Sequence, residues 1–129
     1  MTEKEMLLRT KTFALRIMKL VDALPQTAAG QAIGKQLIRS GTSVSANYRA
    51  ACRGRSKAEF IAKLGIVEEE ADESAHWMEL IIEGGLMEER LVRDLAREAG
   101  EITAMMSSSK ITARATARSQ IANRNLKIQ

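Results

Sequence analysis

Three groups of side chains in the sequence could do chemistry. Glu73-x-x-His76 has the spacing with which a helix presents a carboxylate and an imidazole to one metal ion, as ferritin-like di-iron bundles do. His76 also stands four residues after Asp72, an acid–base pairing, and Cys52, the single cysteine, is a thiol nucleophile by type. The third group is cationic. Lys35, Arg39, Arg49, Arg53, Arg55 and Lys57 lie between Leu24 and Ala58 with no acid among them, whereas Glu59 to Glu89 holds ten acids against Lys63 alone.

Helical projection separates these groups. With Phe60 at zero and about 100° per residue, His76 falls near 160° beside Glu69, Asp72 and Glu83, on the face away from the apolar seam. A di-iron cage needs inward ligands and several of them, and the chain has one histidine. Cys52 and His76 have no partner that would form an oxyanion site, so no catalytic residue, metal or cofactor is expected and the chain reads as non-enzymatic. Gly30-Gln-Ala-Ile-Gly34-Lys35 is one residue short of a phosphate loop, lacks the following Ser or Thr, and follows no strand. Its glycines read instead as places where helix two approaches a neighbour closely.

The cations survive the same test. Lys35, Arg39, Arg49 and Arg53 share roughly an 80° arc, a stripe about 27 Å long that could follow a phosphate backbone. The competing reading is a stripe that meets a neighbour's acidic helix three, or water. Tyr48 is the one aromatic nearby, so contacts to phosphates are expected, without base stacking or sequence readout. Thr103 to Gln129 adds Lys110, Arg114, Arg118, Arg124 and Lys127 with no acid, which places the excess charge in a C-terminal tail. Ile66, Trp77 and Leu80 project to roughly 200–260°, off the core seam, and predict a subunit contact, against the alternative that Trp77 lies at the bundle edge.

These residues must be positioned by helices. The chain has 129 residues, a 45% hydrophobic and 28% charged composition, a net charge of +4 and one proline, which together suit a single all-α domain and exclude a disordered one. One cysteine excludes an internal disulfide, the N-terminus shows no apolar signal region, and no run is long enough to span a membrane, so a cytoplasmic protein is expected. Thr2-x-x-Glu5 and Ser56-x-x-Glu59 are capping boxes, Pro25 and Gly54 are stops, and Gly84-Gly85 is another. Between them run four amphipathic segments, about 3–24, 27–53, 57–84 and 88–107. Their seams are Met6, Phe13, Ile17, Leu20 and Leu24; Ile33, Leu37, Ser40, Val44, Asn47 and Ala51; Phe60, Leu64, Val67, Ala71, Ser74, Met78, Ile81 and Gly85; and Leu91, Leu95, Ile102 and Met106. Short turns predict an antiparallel up-and-down four-helix bundle over 1–109, with 110–129 as a basic tail, disordered or a fraying helix. Ser40, Ser74 and Asn47 read as satisfied polar groups that fix register.

The run Ser40-Gly-Thr-Ser-Val-Ser-Ala-Asn47, with Arg55-Ser-Lys-Ala-Glu-Phe60 and Leu64, resembles the four-helix bundle family of 23S rRNA intervening-sequence proteins over about residues 5–108. Where that family has Ile-Pro-Ala-Asn-Ile-Ala-Glu-Gly, this chain has Val44-Ser-Ala-Asn47-Tyr48-Arg49-Ala50-Ala51; Asn47 matches, while the proline and the Glu-Gly do not, which marks a subgroup. The resemblance implies a ring-like homopentamer with a link to RNA or ribonucleoprotein. It also implies kinship with the accessory bundle of diversity-generating retroelements, which binds nucleic acid and a reverse transcriptase. The phosphate-contacting residues expected on this reading are Lys35, Arg39, Arg49, Arg53, Arg55, Lys57, Lys110, Arg114 and Arg118. A protein-interaction scaffold with no nucleic-acid role is the alternative.

Overall fold

A computed structural model describes the backbone of residues 1–128 and the side chains of 1–126, so the expected charge of Lys127 and the apolar Ile128 lie outside the described side chains. Four helices make up the chain: α1 (Glu3–Asp22), α2 (Ala28–Cys52), α3 (Lys57–Glu83) and α4 (Glu89–Ile128). Each of the first three starts on a hydroxyl cap. Thr2, Thr27 and Ser56 accept a hydrogen bond from the backbone N–H three residues on, each at 3.1 Å, which satisfies one of the free donors of a helix start. Glu59 completes its box one residue early, its Oε2 accepting from the N–H of Arg55 at 2.6 Å. At the end of α3 Gly85 takes a φ of +69°, and the N–H groups of Gly85 and Leu86 reach back to the carbonyls of Ile82 and Ile81 at 3.1 and 3.0 Å. That left-handed glycine closes the helix and turns the chain toward α4.

Each helix packs on its neighbours in chain order, α4 also returns to α1, and the backbones of the diagonal pairs α1/α3 and α2/α4 stay apart. Contacts step in opposite directions along α1/α2 and along α2/α3. Ile17 meets Gly41 while Val21 meets Gly34, and Ser40 meets Ser74 while Gly54 meets Phe60. Neighbouring helices therefore run antiparallel, as turns of a few residues require.

The core is aliphatic and continuous: Phe13, Ile17, Leu37, Val44, Leu64, Val67, Met78, Ile81, Val92, Ile102 and Met106 are wholly buried. Each such side chain contributes about 1.5–3 kcal/mol relative to exposure. The polar seam residues are satisfied as their spacing predicts. The buried hydroxyls of Ser40 and Ser74 lie 2.8 Å apart, so that one donates to the other while the acceptor's own proton goes to a carbonyl of its helix, Leu37 for Ser40 or Glu70 for Ser74, and Asn47 donates to the carbonyl of Ser43 at 2.9 Å.

Three details differ from the sequence reading. Val92, wholly buried, takes the core place expected of Leu91, which is 51% exposed. Tyr48 is buried in the core, which removes the one aromatic expected near the cationic stripe. Finally, α4 does not stop near Ser107–Ser109 but continues helical to Ile128. No glycine or proline follows Gly100 to break it, and α3, longer than α1, still offers a surface: Ala113 is buried there and Lys110 pairs with Glu68. At about 1.5 Å per residue α4 spans about 60 Å against about 40 Å for α3.

The sparser α1–α4 seam is clasped by Arg9. Its guanidinium donates Nε and Nη2 to the two oxygens of Glu98 at 2.8 and 2.6 Å, and Nη2 also to Glu101 at 2.6 Å. The hydrogen bonds from Arg9 hold the Glu98 carboxyl below the usual carboxylate range. A carboxyl lowered on folding gives stability that is complete above its unfolded value of about 4.3 and is lost as pH falls through the lower folded value. Glu98→Gln should therefore cost about 1 kcal/mol at neutral pH and flatten the acid limb of a urea-midpoint titration run from pH 7 to pH 3. An acid limb as steep as that of the wild type would show that Glu98 is not the group involved.

Candidate functional site

The cationic stripe of α2 is divided by the bundle. Arg39 leans toward α3, donating Nη1 to Glu70 at 2.9 Å and Nη2 to Glu73 at 2.6 Å. Its hydrogen bond is the chief reason that Glu73 is held below the usual carboxylate range, and the second oxygen of Glu73 accepts from Trp77 Nε1 at 3.2 Å. Lys110 is likewise engaged, 2.5 Å from Glu68. Two of the nine cations expected to meet phosphate are thus matched by acids of the same chain. The other seven, Lys35, Arg49, Arg53, Arg55, Lys57, Arg114 and Arg118, are exposed and make no ion pair among the described residues. The Lys57 ammonium lies 5.8 Å from the ring centre of Phe60.

Six of those seven come to one end of the bundle. Lys35 stands at the other end, in a hollow with Val21, Leu24 and Pro25. Arg49 and Arg53 instead line an open groove of about 760 Å³ between α1 and α2, with Lys11, Glu3 and Cys52. Arg55 is in the following turn and Lys57 opens α3. From the far corner, Lys110 sits against Gly65 and Glu68, so the antiparallel register carries Arg114 and Arg118 alongside the first turns of α3. The topology therefore joins the lower stripe to the α4 extension, two regions that are separate in the sequence. Anions would find a field there that no single helix supplies.

The residues weighed for catalysis are not brought together. His76 is exposed and edge-on to Trp77 at 5.1 Å, and among the described residues no three of His, Cys, Asp and Glu are grouped to hold a metal ion. Burial, then the nearby charge of Glu3, pushes the Cys52 thiol up, away from the thiolate that a nucleophile needs. Gly34 lies against α1, where a Cβ would be 3.3 Å from Val21, whereas a Cβ on Gly30 would stand 2.0 Å from the carbonyl oxygen of Pro25 in the turn that precedes α2, so of the two only Gly34 serves packing between helices.

Of the apolar patch, Trp77 is half-buried against the core, whereas Ile66 and Leu80 are each 37% exposed. Sequence reasoning missed a second patch, Leu8, Leu15 and Met18 of α1, which are 67%, 54% and 44% exposed. Its signal was present: Leu8 and Leu15 are seven apart, as are Lys4 and Lys11, a second period beside the core seam.

The sequence model of the 23S rRNA-intervening sequence protein family matches residues 3–108. The chain belongs to that family. A crystal structure of a protein of unknown function from the S23 ribosomal protein family, from Bacteroides thetaiotaomicron, is similar at a TM-score of 0.76 and 32% identity. The alignment covers 85% of this chain and 98% of that one. No curated protein matches. Neither likeness points to catalysis, and among the described residues no helix is long and apolar enough to cross a membrane. The family match ends at residue 108, so Arg114 and Arg118 belong to the part of α4 beyond it.

Proposed function

We propose that this intervening-sequence family protein is a non-enzymatic, self-associating bundle that binds RNA or ribonucleoprotein in the cytoplasm through sequence-independent phosphate contacts. The observation that carries the reading is the gathering of Arg49, Arg53, Arg55, Lys57, Arg114 and Arg118, all exposed and unpaired among the described residues, at one end of the bundle. The names of the family and of its S23 neighbour support RNA as the polyanion. Assembly would multiply the field by repeating the cationic end, and the family resemblance favours a homopentamer. With Tyr48 buried and no exposed aromatic in the cluster, the contacts are to phosphates, and every RNA of similar length should bind alike.

Mobility-shift titrations of two unrelated RNAs at several salt concentrations test this. Arg49→Ala with Arg53→Ala and Arg55→Ala should weaken both RNAs equally and lower the slope of log K against log salt by about 2, at about 0.7 per lost contact. Lys35→Ala, at the other end, should leave the slope unchanged. A wild type that shifts neither RNA at low salt would remove the nucleic-acid reading and leave the scaffold reading, which the pairing of Arg39 and Lys110 with acids of α3 favours.

A further inference from the structure

The core seam of α4 does not end where the core does. Leu95, Ala99, Ile102, Met106 and Ala113 are buried on one line of the helix, and steps of four and three residues carry that line on through half-buried Ala117 and exposed Gln120 to Arg124. Arg124 stands eighteen residues beyond Met106, five full turns, so the two side chains leave the helix in the same direction. That direction is toward the bundle axis, and at Arg124 no bundle is left to fill it. Lys110 lies against Gly65 and Glu68; eighteen residues of α4 follow it, whereas eight to eleven residues of α3 precede that level. α4 therefore overruns α3 by seven to ten residues, about 10–15 Å. α1 begins at a lower level still, where Met1 and Thr2 share a hollow with Ser108 and Ser109.

The overrun is a wall beside the end of the bundle. Across the core from α4 is its diagonal neighbour α2, whose last turn leads to Arg53 and Arg55, with Lys57 next at the start of α3. Arg124 overhangs the end that those three cations floor, and it is exposed and without an ion pair among the described residues. Lys110, about 40° round the helix, reaches Glu68, and Arg114 and Arg118 lie about 40° and 80° further out, so Arg124 is the described cation of the extension that faces inward. The carboxylates at this end are Glu3 and Glu5 on α1 and Glu59, whose Oε2 is held by the N–H of Arg55. A guanidinium is excluded from a seam that must fill a core. Here the seam opens on a space with cations on two sides, and the complement of such a space is a chain of phosphates.

We infer that RNA crosses the end of the bundle in the corner between the α2–α3 turn and the overrun of α4. Arg124 grips from the wall a backbone that Arg53, Arg55 and Lys57 hold from the floor. This rests on the phosphate-binding reading above and adds to it a contact residue beyond the family match and a path for the strand. A backbone lying in a corner meets cations on two sides and releases counterions to both.

Exchanging two residues of α4 tests this. In Ala122→Arg with Arg124→Ala the cation moves about 200° round the helix to the opposite face, while composition, net charge and the favourable cation near the helix C-terminus are kept. Both positions are exposed, and far-UV circular dichroism checks that helicity is retained. In mobility-shift titrations of two unrelated RNAs against salt, the exchange should weaken both several-fold at low salt and lower the slope of log K against log salt by about 0.7, as Arg124→Ala alone should. Arg124→Lys, which keeps a charge on the inward face, should retain the slope. If the exchange lowers helicity, Arg124→Gln replaces it with the same expectation. An exchanged variant that binds like the wild type would show that the extension acts through its total charge alone, and would overturn the corner while leaving the phosphate contacts of Arg49, Arg53 and Arg55 standing. A wild type that shifts neither RNA would overturn both.

Discussion

Phe13→Ala should be the most damaging single truncation in the bundle, lowering stability by about 3–5 kcal/mol. Phe13 is wholly buried, and the chain has only four aromatic residues: Phe60 and Trp77 are half-buried at the edge of the core, and Tyr48 retains slight exposure. Around Phe13 the core is built of aliphatic side chains from four helices whose backbones are held by their own hydrogen bonds. Such walls collapse poorly into a void, so the loss combines the transfer of the ring with an unfilled cavity. A chain of this length has roughly 6–19 kcal/mol in total, so the variant should remain folded but with a much lower urea midpoint and an unchanged m-value. A loss under about 1 kcal/mol would mean that α1 moves inward to fill the space, and that the α1–α4 seam is softer than the Arg9 clasp indicates.

How much of this was legible in the sequence depended on whether one helix or several decided the matter. The capping hydroxyls of Thr2 and Ser56 act within one turn, and the seam of α3 runs through a single unbroken period from Leu64 to Ile81; both are found where the spacing puts them. Even the meeting of Ser40 with Ser74 is a seam property, because a small polar group in each of two apolar stripes has few other partners. Where two periods fit equally well, the sequence leaves the choice open. Leu91 and Val92 both continue to Leu95, and only the line through Ala99, Ile102 and Met106 selects Val92.

Charge was the least legible feature, because ion pairs are made between helices. Arg39 belongs with Arg49 on the wheel of α2, yet its guanidinium reaches across to Glu70 and Glu73 of α3 and is neutralised there. The same holds for Lys110, whose partner Glu68 lies forty-two residues earlier. Conversely, nothing local joins Arg53 to Arg118; antiparallel packing on the two sides of α3 does that. The exposed Leu8, Leu15 and Met18 of α1 were overlooked for a related reason. A buried seam explains a helix so completely that a second, outward period looks like ordinary exposed leucines.

The close approach of α1 and α2 makes the other large effect. A Cβ added at Gly41 would stand 2.7 Å from Cγ2 and 3.0 Å from Cβ of Ile17, a wholly buried side chain. β-Branching leaves Ile17 essentially one rotamer in a helix, so it cannot swing aside and the two helices must separate. Gly41→Leu should therefore cost about 3 kcal/mol or more by overpacking, less the gain of about 1 kcal/mol from replacing a mid-helix glycine. Ile17→Ala alone should cost about 2–5 kcal/mol by opening a cavity at the same place. The two errors are complementary in volume, since the added leucine enters the space that the isoleucine leaves. The double variant should accordingly be more stable than the sum of the two losses by about 2 kcal/mol, a coupling measurable in a double-mutant cycle by urea unfolding. Strict additivity would show that Gly41 and Ile17 do not meet, and with that the register of α1 on α2 that turns Arg49 and Arg53 into the groove beside Lys11 would fall.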